Sequence, residues 1–336
     1  MNFSVRIEPS GHELTVEPGE TILAAALRAG VALPYSCRDG ACGSCKGKIV
    51  SGSVGYGEYE KKALSDEERS AGKALFCQAV PQEDLVVEAR EVSVAEGIAI
   101  KILPVRVMRI ENLAHDVMAV YLKLPQTQRL QFLAGQYIDI LLRGGRRRSF
   151  SLANPPHDDE FLQLHIRHVP GGQFTGHVFG EMKERDLLRF QGPFGIFFLR
   201  EDSDLPILLM AGGTGFAPIK SIVEQAFTKG ETRPMHLFWG ARRERDLYLH
   251  ELALSWDQKY ENFHYTPVLS EPQPEDGWQG RTGWVHDALL ADYPDLSGFQ
   301  VYASGPPPMI EAGRDAFFKH GLADDRFCFD SFEFSS

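Results

Sequence analysis

The chain has 336 residues, of which 43% are hydrophobic and 24% are charged, so it has the composition of a folded protein of two or three domains. This composition excludes a disordered chain, a collagen-like chain and a coiled coil. The formal net charge of −11 argues against binding to nucleic acid or to an anionic membrane surface, and five cysteines are too few for a disulfide scaffold.

The N-terminal sequence does not have the pattern of a targeting signal. Residues 1–10, MNFSVRIEPS, alternate apolar and polar side chains instead of placing a basic segment before an apolar one. No run approaches the roughly 20 apolar residues of a membrane-spanning helix. We therefore expect a cytoplasmic protein without a membrane span, in which the thiols stay reduced.

Residues 1–92 predict a first, α+β domain. FSVRIE and ELTVE predict short strands joined by a Pro-Ser-Gly turn, and TILAAALRAG predicts a helix that ends at Gly30. KGKIVSG and DLVVEA predict two further strands.

Four of the five cysteines lie in this domain with the spacing of metal ligands. They follow the pattern C-x4-C-x2-C, then a long gap, then C. A structural zinc site favours two C-x2-C pairs and only one is present, whereas a plant-type [2Fe–2S] cluster has this spacing. Four buried cysteines without a metal are the alternative. The predicted ligands are Cys37, Cys42, Cys45 and Cys77, and Cys328 is predicted to be a packing residue.

The loop that carries the first three cysteines favours the cluster. Gly40, Gly43 and Ser44 are small, so the backbone can wrap closely and direct N–H groups at the sulfurs. Over its whole length this domain resembles the ferredoxin β-grasp domain, and the cysteine spacing is the specific part of the resemblance.

The segment from residue 100 to residue 203 predicts an antiparallel β-barrel. Its runs alternate apolar and polar residues and are separated by turn residues. These runs are PVRVMRI, DVMAVYLKL, GQYIDILLR, RSFSLA, FLQLHIRHV and DLLRFQGPFG. Residues 91–100, EVSVAEGIAI, are either a linker or the first segment of the barrel.

Two motifs in the barrel resemble the flavin-binding segments of the ferredoxin–NADP reductase family. R-S-F-S is similar to R-x-[YF]-[ST], and HIRHVPGGQFTGHVF is similar to the second flavin segment. The resemblance implies that Arg148 pairs with the FAD pyrophosphate, Phe150 packs on the isoalloxazine ring and Ser151 lies near flavin N5. The predicted FAD-binding residues are Arg148, Ser149, Phe150, Ser151, His165, Ile166, Gly171, Gly172 and Thr175.

Residues 204–336 predict an α/β domain with a parallel sheet, because strands and helices alternate. Ligands of such a sheet bind at the carboxyl ends of the strands. G-G-T-G-F-A-P departs from the G-x-G-x-x-G fingerprint, yet its small residues before a helix suit a phosphate. The motif resembles the nicotinamide-nucleotide segment of the same reductase family, and S-G-P-P-P-M resembles that family's C-G-P-P-x-M loop. The predicted nucleotide-binding residues are Gly212, Gly213, Thr214, Gly215, Pro218, Gly305 and Pro306.

The resemblance also implies residues that act in hydride transfer. Ser304 stands where the family has Cys, near the nicotinamide C4 position. Asp330-Ser331-Phe332 resembles the family's acidic-x-aromatic ending, in which the aromatic ring shields the flavin; an ordinary final strand is the alternative. The predicted catalytic residues are Ser151, Ser304, Asp330 and Phe332.

The segment GARRERDLY contains residues that favour NADPH and residues that favour NADH. Arg242, Arg243 and Arg245 favour the 2′-phosphate of NADPH, whereas Glu244 or Asp246 favours NADH. We expect NADH, with NADPH as the alternative.

The order of the three domains resembles iron–sulfur flavoprotein reductases, in particular the CDP-6-deoxy-3,4-glucoseen reductase group and the reductase components of multicomponent oxygenases. The implied activity is hydride transfer from NAD(P)H to FAD, then single-electron transfer through the cluster to a partner protein. The expected partner is an oxygenase, its ferredoxin or a deoxysugar dehydratase. Two alternatives are a flavin or quinone reductase with an accessory cluster, and a non-enzymatic redox carrier or sensor.

Overall fold

A computed structural model describes residues 2–91 and 98–333, so most of the predicted linker and residues 334–336 lie outside the described part. The chain divides into two compact units, one of residues 1–99 with the chain end from Glu333, the other of residues 100–332. Within the described residues, no helix has the length and apolar character that are needed to cross a bilayer.

The first unit contains a mixed five-stranded sheet in the order β2-β1-β7-β3-β5 and a separate pair, β4 with β6. β1 runs parallel to β7, whereas the other neighbours in the sheet are antiparallel. The strands are β1 Phe3–Glu8, β2 His12–Val16, β3 Lys46–Ser51, β4 Val54–Tyr56, β5 Lys73–Leu75, β6 Ala79–Pro81 and β7 Leu85–Glu88.

Two helices complete this unit. The first was predicted from the sequence, and it ends at Gly30 as predicted. Helix α1, Ile22–Ala29, begins after Thr21, whose side chain accepts a hydrogen bond from the N–H of Ala24. It ends at Gly30, which has φ 75°, a left-handed conformation that glycine adopts without strain. Helix α2, Asp66–Ser70, was not predicted; it begins with a capping box between Ser65 and Glu68.

The second unit begins with the predicted antiparallel sheet, in the order β11-β10-β13-β8-β9-β12. A bridge between Leu152 and Leu164 joins the two edges, so the sheet closes into a barrel. Its core contains Ile138, Ile140 and Phe190. The strands are β8 Lys101–Ala114, β9 Val117–Lys123, β10 Tyr137–Leu141, β11 Arg147–Ser151, β12 Leu162–Arg167 and β13 Leu187–Phe194.

Helix α3, Gln173–Gly180, covers the barrel and was not predicted as a helix. Gly176 and Gly180 lower the helix propensity of this segment. Burial of Phe174 and Val178 against the barrel core supports the helix in spite of this.

A six-stranded parallel sheet in the order β17-β16-β15-β14-β18-β19 follows. Helices lie between its strands, so the prediction of an α/β domain is confirmed, as are the α+β and barrel predictions. The strands are β14 Ile207–Gly212, β15 Met235–Ala241, β16 Phe263–Leu269, β17 Arg281–Thr282, β18 Gln300–Gly305 and β19 Phe327–Ser331. The helices are α4 Phe216–Lys229, α5 His250–Lys259, α6 Val285–Asp292 and α7 Pro307–Lys319.

The strand order reverses between β14 and β18, which are direct neighbours. Such a switch point opens a crevice at the carboxyl ends of the two strands, where α/β domains bind ligands. The glycine motif after β14 and the S-G-P-P-P-M loop after β18 therefore meet at one place. Cys328 packs, partly buried, against the core of this domain, as predicted.

Candidate redox centres: the cysteine loop, the flavin segments and the nucleotide cleft

The loop of the first three cysteines depends on residues in the left-handed region of backbone conformation. Arg38, Gly40 and Gly43 have φ of 65°, 79° and 76°. A Cβ atom on Gly40 would lie 2.7 Å from the carbonyl oxygen of Glu58. Position 40 therefore requires glycine for two reasons: the backbone is left-handed, and a side chain would clash with the carbonyl oxygen of Glu58. The resulting turn directs the N–H of Asp39 at the sulfur of Cys37, 3.4 Å away.

The four predicted ligands form two thiol pairs. Cys37 is hydrogen-bonded to Cys42, and Cys45 is hydrogen-bonded to Cys77. Within the described residues, no three His, Cys, Asp or Glu side chains are placed to hold one metal ion. A [2Fe–2S] cluster has two irons with two protein ligands each, so the two pairs fit a cluster rather than a single ion.

In each thiol pair, the pKa of one cysteine is lowered and that of the other is raised. The hydrogen bond with Cys42 and the N–H groups of the loop lower the pKa of Cys37 to about 6. The pKa of Cys42 is raised because it donates to Cys37 and is buried. In the second pair, Cys45 has the raised pKa and Cys77 the lowered one, for the same reasons. In each pair, therefore, one thiol loses its proton more readily than the other, and metal binding must displace the protons that remain.

The first flavin segment lies on strand β11, so its successive side chains point to opposite faces of the sheet. The hydroxyl of Ser149 donates to the fully buried carboxylate of Asp139 at 2.7 Å. Phe150 points to the barrel, where its ring centroid lies 5.4 Å from that of Phe174. The guanidinium of Arg148 donates to the carbonyl of Arg147 at 2.7 Å.

The second flavin segment turns tightly before helix α3. Gly171 has φ 77°, and a Cβ atom on Gly172 would lie 2.6 Å from the hydroxyl oxygen of Thr175. That hydroxyl accepts from the N–H of Val169 at 3.2 Å and so fixes the turn. Arg146, just before β11, donates to Gln173 at 2.5 Å, which brings the two flavin segments together. In the described part of the chain no side chain caps the start of α3, and such a helix start with a nearby arginine suits a pyrophosphate.

His165 and Ile166 lie between these segments in the sequence, and their side chains contact other parts of the protein. Ile166 is in the barrel core. The Nδ1 atom of His165 lies 3.0 Å from the hydroxyl of Tyr248, and burial lowers the pKa of this histidine to about 3. A flavin contact of these two residues would therefore be made by the main chain, and their role stays a prediction.

The glycine motif after β14 is packed directly against the end of β18. A Cβ atom on Gly215 would lie 2.0 Å from the carbonyl oxygen of Ser304. A Cβ atom on Gly212 would lie 2.5 Å from the sulfur of Met309. Gly213 and Gly305 have φ of 52° and 147°. Glycine is thus required here for close packing as well as for approach to a ligand.

A cleft of about 580 Å³ opens at this switch point. Four of the seven predicted nucleotide-binding residues line it, namely Gly212, Gly213, Thr214 and Pro306. The other three support the same turns from behind: Gly215 and Gly305 lie within them, and Pro218 is buried in the first turn of α4.

The four predicted catalytic residues converge at the edge of the same sheet. The hydroxyl of Ser151 donates to the carboxylate of Asp330 at 3.2 Å, and both side chains are buried. Asp330 pairs across the β18–β19 ladder with Ser304. The hydroxyl of Ser304 is buried and has no hydrogen-bond partner among the described residues. The N–H of Phe332 donates to the carbonyl of Gly305 at 3.0 Å, which fixes the chain end beside them.

The cleft also contains residues that the sequence analysis did not select. Arg167 projects from barrel strand β12, and its guanidinium lies 3.5 Å from the point where Gly213 would carry a Cβ atom. The carboxylate of Asp116 accepts from its Nε atom at 2.7 Å and holds this orientation. The barrel thus places a cation beside the glycine turn of the nucleotide domain. No local pattern indicates this role of Arg167, because Asp116 and Gly213 are distant from it along the chain.

Comparisons with known proteins agree with this arrangement. Three family models match in chain order: a 2Fe-2S iron-sulfur cluster binding domain over residues 5–82, an oxidoreductase FAD-binding domain over 104–199 and an oxidoreductase NAD-binding domain over 209–315. The chain is 42% identical over 332 residues to the CDP-6-deoxy-L-threo-D-glycero-4-hexulose-3-dehydrase reductase of Yersinia pestis, which covers 99% of both chains. The chain belongs to the iron–sulfur flavoprotein reductases.

Other members of the family act with oxygenases. This reductase is 39% identical over 316 residues to the phenol 2-monooxygenase reductase component of Pseudomonas sp. (strain CF600), covering 93% of this chain and 89% of that one. It is 36% identical to the Amycolatopsis cytochrome P450 reductase GcoB, whose crystal structure covers 98% of each chain with a TM-score of 0.82. The predicted cofactors, a [2Fe–2S] cluster, FAD and NAD, are confirmed by the three domain matches.

Proposed function

We propose that this reductase oxidises NADH and delivers electrons to a dehydrase that acts on a CDP-linked 6-deoxyhexulose. The observation that carries the choice of partner is the 42% identity over 99% of both chains with a reductase of that name. The cytoplasm, where thiols stay reduced, is the proposed location.

The three sites divide the work between them. When bound, FAD accepts two electrons from the nicotinamide as hydride and releases them singly, which lets the cluster pass them to a partner. Cys37, Cys42, Cys45 and Cys77 would hold the cluster. Arg148, with the turn at Gly171 and Gly172, would hold the FAD pyrophosphate.

Ser151, Ser304 and Asp330 would orient the nicotinamide for transfer. The hydrogen bond from Ser151 holds the Asp330 carboxylate beside Ser304, its neighbour across the β18–β19 ladder. The unpartnered hydroxyl of Ser304 supports a ligand contact, because a buried hydroxyl without a partner destabilises the fold. Serine at position 304 would act through its hydroxyl, as a donor or an acceptor, and the closed surroundings would exclude water.

NADH is the proposed coenzyme because two of the three arginines of the segment GARRERDLY, Arg243 and Arg245, already pair with carboxylates. A smaller cavity of about 230 Å³ adjoins the cleft and is lined by Arg242, Arg243, Arg245, Asp246 and Glu271. Arg243 is bonded to Glu275 and to Asp276 at 2.8 and 2.9 Å. The carboxylates of Asp246 and Glu271 would repel a 2′-phosphate, but they can accept hydrogen bonds from ribose hydroxyls.

The coenzyme proposal is tested by the ratio of kcat/KM for NADH to that for NADPH, with ferricyanide as acceptor. We expect Glu271→Arg to lower this ratio at least about 10-fold, since one charge pair near the ribose contributes about 1.4 kcal/mol or more. Glu251→Gln, which removes an exposed carboxylate of helix α5 that does not line this cavity, is the control. An unchanged ratio in Glu271→Arg would rule out this carboxylate as the selector.

The partner proposal is tested by reconstitution. Purified reductase is mixed anaerobically with the CDP-hexulose dehydrase, or with a phenol hydroxylase component, and NADH oxidation that depends on each partner is measured. We expect turnover with the dehydrase and its loss in Cys37→Ser. Turnover with the hydroxylase alone would assign this chain to an oxygenase system, in line with its 39% identity to such a reductase. Reduction of free flavin or quinone that Cys37→Ser leaves intact would make the cluster accessory.

A further inference from the structure

Glu68 joins three structural elements of the cluster-binding unit. Both of its carboxylate oxygens lie 2.7 Å from the ammonium nitrogen of Lys46 on strand β3. One of them also accepts from Lys73 on strand β5, at 3.3 Å. The other accepts from the N–H of Ser65 at 3.1 Å, which closes the capping box of helix α2.

The two lysines lie on the two strands that the buried cysteine pair flanks. Lys46 follows Cys45 directly, and Cys77 comes two residues after the end of β5. Between them, the N–H of Phe76 donates to the carbonyl of Cys45 at 3.0 Å. The pairing of β3 with β5 thus holds Cys45 and Cys77 close to each other. Glu68 binds a side chain on each of these two strands.

Strand β5 needs such support because it is short and lies at an edge. It has three residues and pairs only with β3 in the five-stranded sheet. Edge strands of this length fray unless side chains hold them. The carboxylate of Glu68 is half-buried, with 29% of its side chain exposed, so its bonds to Lys46 and Lys73 are partly shielded from water.

We propose that Glu68 is a positioning residue for the cluster: it fixes the strands of Cys45 and Cys77 and sets the local charge. The charge effect has a definite sign. Reduction adds an electron to the cluster, so the positive charges of Lys46 and Lys73 favour it and the negative charge of Glu68 opposes it. The proposal rests on the proposed assignment of the four cysteine ligands.

Two substitutions separate charge from position. Glu68→Gln removes the charge, while glutamine keeps the capping hydrogen bond to Ser65. Glu68→Ala removes both the charge and the bonds. The control is Asp66→Asn in the same helix, because Asp66 pairs only at the surface with Lys61, their side chains being 73% and 82% exposed. Asp66→Asn therefore makes the same charge change without touching β3 or β5.

The measurements use the full-length protein with its cofactors. We expect the cluster reduction potential to become more positive in Glu68→Gln, and by more than in Asp66→Asn. We expect Glu68→Ala to lose the cluster absorbance about 10-fold faster in a chelator, as for other residues that support metal ligands. Circular dichroism and thermal denaturation of each variant show whether the first unit, which contains the substituted residues, is folded.

The outcomes separate this proposal from the ligand assignment. A Glu68→Gln potential equal to that of Asp66→Asn, with wild-type cluster loss in Glu68→Ala, would overturn the role of Glu68 alone. Wild-type protein that carries FAD but no cluster after anaerobic reconstitution would overturn the ligand assignment, and this proposal with it.

Discussion

In the cluster loop, three cysteines lie within nine residues, whereas Ser151 and Asp330, which share a hydrogen bond, are 179 residues apart. The loop takes its shape from its own backbone, above all from the left-handed conformations of Gly40 and Gly43. The group of Ser151, Ser304 and Asp330 exists only because a barrel strand meets the edge of a parallel sheet.

This difference affects how each site responds to damage. We expect a change in the cysteine loop to act locally, on one cofactor, and to leave the nucleotide domain intact. We expect a change at the barrel–sheet contact to act on both the flavin and the nucleotide segments. The following predictions use that distinction, and they run from the largest expected effect to the smallest.

Replacement of Cys77 by serine tests whether damage to the cluster stays local. We expect NADH-dependent electron delivery to the partner to fall to background, because one iron loses a thiolate ligand. NADH–ferricyanide activity of the same protein should stay within about twofold of wild type. Visible spectra before and after the assay check the cluster and flavin content. Cys328→Ser, which changes a cysteine of the nucleotide domain, is the control and should retain partner reduction.

Replacement of Gly215 by alanine tests close packing at the switch point. The new Cβ atom would lie 2.0 Å from the carbonyl oxygen of Ser304, and both atoms belong to backbone turns that cannot move apart freely. We expect a loss of about 3 kcal/mol or more of unfolding free energy, at the upper end of overpacking effects. Chemical denaturation followed by tryptophan fluorescence measures it.

The control for this substitution is Gly176→Ala in helix α3, where no atom lies within 4 Å of the added Cβ. Alanine there should be neutral or stabilising because it favours the helix. Equal stability of the two variants would contradict the packing role of Gly215.

Features that depend on residues close together in the chain could be predicted from the sequence, whereas features that depend on distant residues could not. The end of α1 at Gly30 and the glycine turn after β14 are local patterns, and both lie where the motifs placed them. The cysteine spacing is a local pattern as well. Arg167 was missed because its partners, Asp116 and the turn at Gly213, become neighbours only in the folded chain. Helix α3 was missed because its support is the barrel core and not its own propensity. The domain limits 1–92, 100–203 and 204–336 and the roles of the site residues stay predictions.

Replacement of Asp330 by asparagine tests the buried polar group directly. We expect the rate of flavin reduction by NADH to fall about 10- to 100-fold, since misplacement of a reacting group by about 1 Å has an effect of this size. Anaerobic stopped-flow absorbance measures the rate without the partner. Asp324→Asn removes a carboxylate that is 87% exposed, and it is the control. A wild-type rate in Asp330→Asn would remove this residue from the catalytic group.

Burial of His165 predicts how stability depends on pH. Burial lowers its pKa to about 3, and within the described residues its Nε2 atom has no hydrogen-bond partner. The unfolded chain protonates this histidine below about pH 6.5, while the folded chain keeps it neutral. Between these values the unfolded state binds more protons, so the unfolding free energy falls with falling pH, by about 1.4 kcal/mol per pH unit.

His165→Asn should remove this slope, because asparagine does not titrate. Urea denaturation at a series of pH values from 4 to 7 measures the unfolding free energy of both proteins. His236, whose pKa burial lowers to about 4, contributes a similar slope in both proteins, so only the difference between them reports on His165. If His165→Asn kept the wild-type slope, the ring would be protonated in the fold, and the contact of barrel and nucleotide domain at Tyr248 would have to open in acid.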